Sequence, residues 1–258
     1  MDLNLKGKVA IITGSSRGIG KGIAASLAAE GCKVVICGRT EETLFQARDE
    51  ISSTGNEIVP IVADVTTEND VANVVNETTK KFGRIDILVN NVGGNRRNLF
   101  ENTSDQDWQD IIQLNLMSHV VMSRAVVPGM KKQGSGVIIF ISSIFGRELG
   151  GPTLAIYNST KSAVISLAKV MASELASYNI RVNSVAPGSI LFPGGSWDKR
   201  YKEDPEKIKA FIKAELPLGR FGKVEEVADL VCFLASERAS LITGACINAD
   251  GGQSRSLI

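Results

Sequence analysis

Residues 9–22 read VAIITGSSRGIGKG. Val9, Ala10, Ile11 and Ile12 form a short, mostly β-branched apolar run of the kind that makes a buried strand. Past the run, Ile19, Ile23 and Leu27 recur at a helical interval, and Gly31 stands where such a helix would be capped. Between strand and helix lie Gly14, Gly18 and Gly20, spaced four residues and then two. Glycine lets a backbone turn tightly and approach a ligand, and a helix start offers free N–H groups and a positive dipole end. The turn is therefore expected to hold phosphate. It is not a Walker A loop, because Lys21 is followed by Gly22, and it departs from G-x-G-x-x-G. The competing reading is a turn that only packs a helix on a sheet.

Working outward, apolar runs recur at 9–13, 33–37, 58–63, 85–90, 137–142, 180–186 and 246–248, with helical patterns between them. Strands alternating with helices imply right-handed βαβ units. The expected fold is an α/β, Rossmann-type, doubly wound parallel sheet of seven strands with helices on both faces. No linker, repeat or charge block divides the 258 residues, so 1–258 reads as a single domain. The segment PGSILFPGGSWDKRYKEDPEKIKAFIKAELPLGRFG stands apart. Following a late strand, it reads as a substrate lid at about 189–217, or as a solvated surface helix.

The 29 basic and 28 acidic residues give a net charge of +1, which favours neither nucleic acid nor an anionic membrane as a partner. Four cysteines without a C-x-x-C pair read as reduced buried thiols, and a single histidine, His119, argues against a zinc site; no metal is expected. No signal peptide or membrane span is legible, so a soluble cytoplasmic protein is expected.

The second expected strand ends VVICGRT. An NAD site usually carries an acid there for the ribose 2′-hydroxyl. Gly38 takes that place, Arg39 follows it, and Arg17 lies in the glycine turn. Two guanidiniums suit a 2′-phosphate, so NADP(H) is expected over NAD(H). The rival is that Glu41 or Glu42 holds the ribose. Further along, Tyr157 and Lys161 share a helix face in YNSTK. An ammonium beside a phenol lowers its pKa from about 10 and suits it to proton transfer. Ser142 and Ser143 end the preceding strand, where a hydroxyl can polarise a substrate oxygen.

In order along the chain stand TGSSRGIG, ADV, NNVGG, QLNL, ISS, YNSTK, RVNSVAPG and GACINADGG. This series resembles the short-chain dehydrogenases/reductases over nearly the whole length, with the 3-oxoacyl-(acyl-carrier-protein) reductases most similar. The resemblance implies a catalytic tetrad of Asn115, Ser143, Tyr157 and Lys161. Ser143 polarises a carbonyl, Tyr157 gives the proton, Lys161 lowers the tyrosine pKa and holds the nicotinamide ribose, and Asn115 supports a water-linked proton path. It implies a cofactor site from Thr13, Gly14, Ser15, Ser16, Arg17, Gly18, Ile19 and Gly20, with Arg39. Asp64 and Val65 flank the adenine, Asn91 and Gly93 line the cleft, and Pro187, Gly188 and Ile190 touch the nicotinamide.

The expected activity is NADP(H)-dependent reduction of a carbonyl, on a 3-oxoacyl thioester or similar ketone. The alternatives are a sugar, polyol or small-alcohol dehydrogenase, and a non-catalytic NADP-binding sensor. Lys131 and Lys132 stand where the acyl-carrier group docks its partner, with Tyr178 where a basic residue is common. The resemblance also implies a homotetramer or homodimer built through helices near 105–130 and 155–178. Two departures stand out: Val92 replaces a usual alanine, and the threonine usually found after the Pro-Gly pair is missing. Glu148, Leu149 and Trp197 are candidates for shaping the substrate pocket. His119 is expected to pack on a neighbouring helix or subunit rather than face the cleft.

Overall fold

The computed structural model describes residues 2–52 and 57–257. Seven strands form one parallel sheet: β1 (Val9–Ile12), β2 (Lys33–Gly38), β3 (Ile58–Val62), β4 (Ile87–Asn90), β5 (Gly136–Ile141), β6 (Ile180–Pro187) and β7 (Cys246–Ala249). Their order is β3-β2-β1-β4-β5-β6-β7. Chain order therefore runs outward from β1 to β3, returns to the other side of β1, and runs outward again. The break between β1 and β4 is the topological switch point, and a parallel sheet opens its ligand crevice beyond the strand ends there.

Each expected strand is present. β4 begins at Ile87 rather than Ile85; just before it the Asp86 N–H donates to Val9 O and Asp86 O accepts the Val137 N–H, each at 2.9 Å, while Asp86 Oδ2 accepts the Val9 N–H at 2.9 Å.

Side chains alternate along each strand, so one apolar run feeds two cores. Ala10 and Ile12 pack with Ile23 and Leu27 of α1 (Gly18–Ala29), Leu44 of α2 (Glu41–Ser52) and Val227 of the helix 224–235. Ile11 points the other way, packing with Val71 and Val74 of α3 (Glu68–Phe82), Met122 of the helix 118–133 and Val164 of the helix 155–175. Both faces are covered, which is why these strands read as unbroken apolar runs.

Between α4 (Asp105–Ile112) and α5 (Ser118–Gln133), residues Gln113–Met117 widen into a π-helical turn holding Asn115. Such turns interrupt regular helix bonding and recur at functional sites. α6 (Ala155–Leu175) follows β5 and carries Tyr157 and Lys161.

The segment expected as a lid is an excursion that leaves and rejoins the fold at one point: Ile190 and Gly222 form a parallel bridge. It contains α7 (Ser196–Glu203) and α8 (Pro205–Glu215), with Asp204 capping α8 by accepting the Lys207 N–H. Ile208, Leu216 and Phe221 are buried against Trp197, Phe211 and Ile212, a small core of its own. α9 (Val224–Ala235) then leads to β7.

Candidate active site

The glycine turn leaves β1 at its carboxyl end. Gly14 and Gly18 have φ of +63° and +55°, a region that disfavours any side chain. A Cβ on Gly20 would lie 2.4 Å from both Asn91 Nδ2 and Gly14 O, so the helix start closes directly onto the end of β4. Asn91 fastens the turn by donating from Nδ2 to the carbonyls of Thr13 and Gly14, each at 3.0 Å. Part of this glycine pattern therefore serves packing. Yet no side chain caps α1 at Arg17, so its first N–H groups are left for another acceptor.

These N–H groups adjoin a cavity of about 740 Å3, lined by Gly14, Ser16, Arg17, Ile19, Gly20, Arg39, Asp64, Val65, Asn91 and Gly93 among others. Thr13 and Ser15 are buried behind the turn and do not line it. Thr13 Oγ1 accepts the Asn91 N–H at 2.9 Å, and Ser15 Oγ bonds Ile12 O and the Cys37 N–H at 2.7 and 2.9 Å. They hold the turn's shape. Gly18 is covered by the Phe192 ring, which a Cβ there would meet at 2.7 Å.

At the far end of this cavity Gly38 closes β2, and no carboxylate stands at that position. Arg39 lies 3.9 Å from Asp64 and is mostly exposed. Asp64 is occupied locally, accepting from Thr66 N and Oγ1 at 3.0 and 2.7 Å. Lys21 is paired with Glu50 and is not free to serve a ligand. An uncapped helix start with two guanidiniums, Arg17 in no ion pair among the described residues and Arg39 only at 3.9 Å from Asp64, fits a dinucleotide with several phosphates.

A second cavity of about 620 Å3 shares Arg17, Ile19, Asn91, Gly93 and Phe192 with the first. Ser143, Tyr157, Lys161, Pro187, Gly188 and Ile190 all line it. Tyr157 and Lys161 lie one turn apart on α6, with Lys161 Nζ 5.8 Å from the Tyr157 ring centre and donating to Ile141 O at 2.8 Å. Ser142 and Ser143 diverge. Ser142 Oγ donates to Lys161 O at 2.9 Å and so braces β5 against α6, whereas Ser143 hydrogen-bonds the Tyr157 phenol.

The Tyr157 pKa is raised, because burial outweighs the Ser143 hydrogen bond and the charge of Arg97. This reverses the direction expected from Lys161 alone. Burial holds Lys161 itself down to about 8, which weakens it as a permanent charge beside the phenol.

Asn115 is fully buried and outside both cavity walls. Its Oδ1 accepts the Gly94 N–H at 2.8 Å, and its Nδ2 donates to Gly94 O and Thr160 Oγ1, each at 3.0 Å. The amide thus joins the loop after β4 to α6. A Cβ on Gly93 would lie 3.2 Å from Lys161 Nζ and 3.4 Å from Asn115 Oδ1, so glycine lets this loop pass close over both.

Among the pocket candidates, Trp197 lines the second cavity, while Glu148 and Leu149 do not. Glu148 Oε2 instead accepts from Ser254 Oγ and Arg255 N, and Leu149 is 85% exposed. His119 packs inside its own chain: Nε2 lies 2.8 Å from Val92 O, and burial drives its pKa down to about 3. In the stretch after the Pro-Gly pair, Phe192 lies against the glycine turn and lines both cavities.

Sequence reading missed Arg97, Lys199 and Arg200, which also line the second cavity. The doubled arginine in GGNRRN and the Trp197–Arg200 helical spacing were the only signals. Among the described residues, no group of three or more His, Cys, Asp or Glu could hold a metal, and no helix is long and apolar enough to cross a membrane. Three of the four free cysteines are buried.

A family model described as enoyl-(acyl carrier protein) reductase matches residues 14–254. The 3-oxoacyl-(acyl-carrier-protein) reductase FabG of Thermotoga maritima is 40% identical over 250 residues, 97% of this chain and 99% of that protein. The Escherichia coli enzyme of the same name is 38% identical over 97% of this chain and 98% of its own length. In structure, L-sorbose reductase from Gluconobacter frateurii, complexed with NADPH and L-sorbose, superposes with a TM-score of 0.93 at 36% identity, covering 100% of both chains. A 7α-hydroxysteroid dehydrogenase complexed with NADH and 7-oxo glycochenodeoxycholic acid gives 0.91 at 33%, covering 100% of this chain and 98% of that one. The chain belongs to the short-chain dehydrogenase/reductase family and is an NAD(P)-dependent oxidoreductase.

Proposed function

We propose that this enzyme reduces a ketone to a secondary alcohol with NADPH, and that the ketone is a 3-oxoacyl thioester or a close analogue. The observation that carries the reading is the convergence of the Ser143 hydroxyl, the Tyr157 phenol and Lys161 on one cavity that runs into the glycine turn.

Gly14, Ser16, Arg17, Gly20, Asp64, Val65, Asn91 and Gly93 would hold the dinucleotide, with Pro187, Gly188 and Ile190 beside its nicotinamide end. Gly38 and Arg39 favour the 2′-phosphate form. Bound there, the reduced nicotinamide supplies the hydride. Ser143 donates a hydrogen bond to the substrate carbonyl oxygen, and Tyr157 gives that oxygen its proton. The raised pKa keeps the phenol protonated at neutral pH, the form a reductase needs. Lys161 bonds the ribose and stabilises the phenolate left behind. Asn115 is a positioning residue that fixes the Gly94 loop against α6.

The thioester reading draws on the FabG relatives and on Lys131 and Lys132, which sit in the last turn of α5 where an acidic carrier could dock. Lys131 Nζ lies 4.2 Å over the Tyr178 ring, which fixes its charge at that edge. A sugar or polyol substrate is the second reading, favoured by the full-length match to the sorbose reductase structure. In either case the segment 189–222 acts as the lid, and Trp197 faces the substrate. Self-association to a dimer or tetramer is supported by Ile112 and Val170, partly bare on α4 and α6, and buried free thiols suit a cytoplasmic site.

Following NADPH oxidation with an acetoacetyl thioester and with L-sorbose tests this. Thioester turnover supports the leading reading, and sorbose turnover alone supports the second. NADPH binding that persists without turnover of any ketone, in a protein unchanged by Tyr157→Phe, identifies a non-catalytic binder.

A further inference from the structure

The cavity beside Tyr157 is electrostatically one-sided. Arg17, Arg97, Lys161, Lys199 and Arg200 line it and no Asp or Glu does, in a chain whose net charge is only +1. Arg17 and Lys161 have roles in the proposed cofactor site. Arg97, Lys199 and Arg200 do not, because they are absent from the wall of the cavity that holds the glycine turn, where the phosphates belong.

The two adjacent arginines of the loop after β4 have opposite fates. Arg96 is forked between Asp107 and Asp110 at 2.6 Å each. Arg97 has no carboxylate within ion-pair distance among the described residues. Arg200 likewise has none, and its guanidinium lies 4.9 Å from the Trp197 ring centre. Trp197 is itself stacked on Phe211 at 4.5 Å and tilted against Phe221 at 5.1 Å. The Arg200 charge is thus presented from a packed aromatic face. Burial and the like charge of Arg200 both push the Arg97 pKa down, while the Tyr157 hydroxyl favours its charge. Two unpaired cations near one another in a cavity are unfavourable until an anion joins them.

We infer that the ketone reduced in this pocket itself carries an oxyanion group, a carboxylate or a phosphate, held by Arg97 and Arg200 within a few bonds of the carbonyl that Tyr157 serves. This rests on the reading that the pocket reduces a ketone, and where it holds, the thioester of the leading reading gives way to an anionic ketone. A planar guanidinium pairs with either group through two parallel hydrogen bonds, and such charge-assisted bonds are the strong ones. A neutral ester or thioester of the same shape leaves both charges unpaired.

Matched substrates test it: acetoacetate against ethyl acetoacetate for a carboxylate, and fructose 6-phosphate against fructose for a phosphate. In at least one pair the charged member should have a kcat/KM ten-fold or more above the neutral one. Arg97→Gln and Arg200→Gln should each remove most of that advantage, read within each variant as the charged-to-neutral ratio of kcat/KM, as expected when one charge-assisted hydrogen bond to the anion disappears. The pair that responds identifies the anion. Equal turnover of charged and neutral members, equal loss on both, or a change confined to the KM for NADPH would overturn the inference.

If no ketone is turned over, the reductase reading fails and binding decides the anion site separately. In a Trp108→Phe background, Trp197 fluorescence of the NADP+ complex is titrated with acetoacetate, fructose 6-phosphate and their neutral partners. A saturable change with one anion only, lost in Arg97→Gln, supports the site. The same response to neutral ligands, or none to either anion, rules it out.

Discussion

The two ends of the cleft are built in different ways. The end at the glycine turn is made of backbone: strand ends, an uncapped helix start and glycines pressed against Asn91. Its charged side chains are of both signs, with Glu50 and Asp64 beside Arg17, Lys21 and Arg39, and Lys21 is paired with Glu50. The end at Tyr157 is made largely of side chains from separate segments, the loop after β4, the end of β5, α6, the end of β6 with the stretch after it, and α7, and no carboxylate lines it beside its cations. The first end is fixed by the sheet. The second is fixed in part by an insertion with its own small core, which touches the first where Phe192 lies against Gly18.

The largest expected effect separates the two ends outright. Tyr157→Phe removes the proposed proton donor and should lower kcat/KM for ketone reduction by about 10³-fold or more, within the usual range for a general acid. The Kd for NADPH, read by fluorescence titration, should stay within about two-fold. A comparable loss in NADPH affinity would show that the ends are coupled.

Next in size is a change at the opposite end. A Cβ on Gly38 would lie 3.5 Å from Leu44 Cδ1 and Ser16 Cβ, ordinary van der Waals distance, so a side chain fits there. Gly38→Asp places a carboxylate where a ribose hydroxyl would bind and a 2′-phosphate would be repelled. The ratio of kcat/KM for NADPH over NADH should fall by roughly 100-fold, because one charge-assisted hydrogen bond to the phosphate is weakened while another forms to the ribose hydroxyl. The KM for the ketone should not move. An unchanged cofactor ratio would show that Gly38 and Arg39 do not read the ribose.

The same contrast explains what the sequence made legible. The glycine spacing, the apolar runs and the Tyr157–Lys161 interval are local patterns, each set by a few neighbouring residues, and the sheet order follows from their alternation. Resemblance places Asn115 in the site, but its work is not legible in the sequence, because its partners are Gly94 and Thr160, far along the chain. Arg97 belongs to the loop after β4 and Arg200 to α7, and no local period links them. Which arginine of the pair at 96 and 97 is free depends on where α4 puts Asp107 and Asp110. The Tyr157 pKa moves against expectation because spacing shows which charges are near and says nothing of how deeply the phenol is buried.

A middle-sized effect belongs to the joint between the ends. Asn115→Ala leaves Gly94 N–H and C=O without their partners and should cost about 2 kcal/mol of stability, measured by urea unfolding. As a positioning residue it should also lower kcat more than it raises KM for NADPH. A loss of stability with unchanged kcat would reduce Asn115 to a structural brace.

The smallest effect reads the buried charge directly. Lys161 has a pKa near 8 in the fold against an ordinary value near 10.5. Between those values the unfolded chain holds more protons than the native one, so this group makes stability rise with pH across that window. Its cost is fully present below about pH 8 and relieved above it. Cys32 and Cys37 act oppositely, since burial pushes both up to about 12 and stability is lost as pH climbs past their ordinary values. Those thiols remain in Lys161→Met and cancel in a difference. The melting temperature of wild type minus that of Lys161→Met should therefore increase by about 4–8 °C from pH 7 to pH 9.5, the shift expected for roughly 2 kcal/mol in a chain of this size. A flat difference for Lys161→Met would mean that its ammonium is solvated or paired in solution, and the contrast between a glycine-turn end of mixed charge and a Tyr157 end lined by cations alone would lose one of its supports.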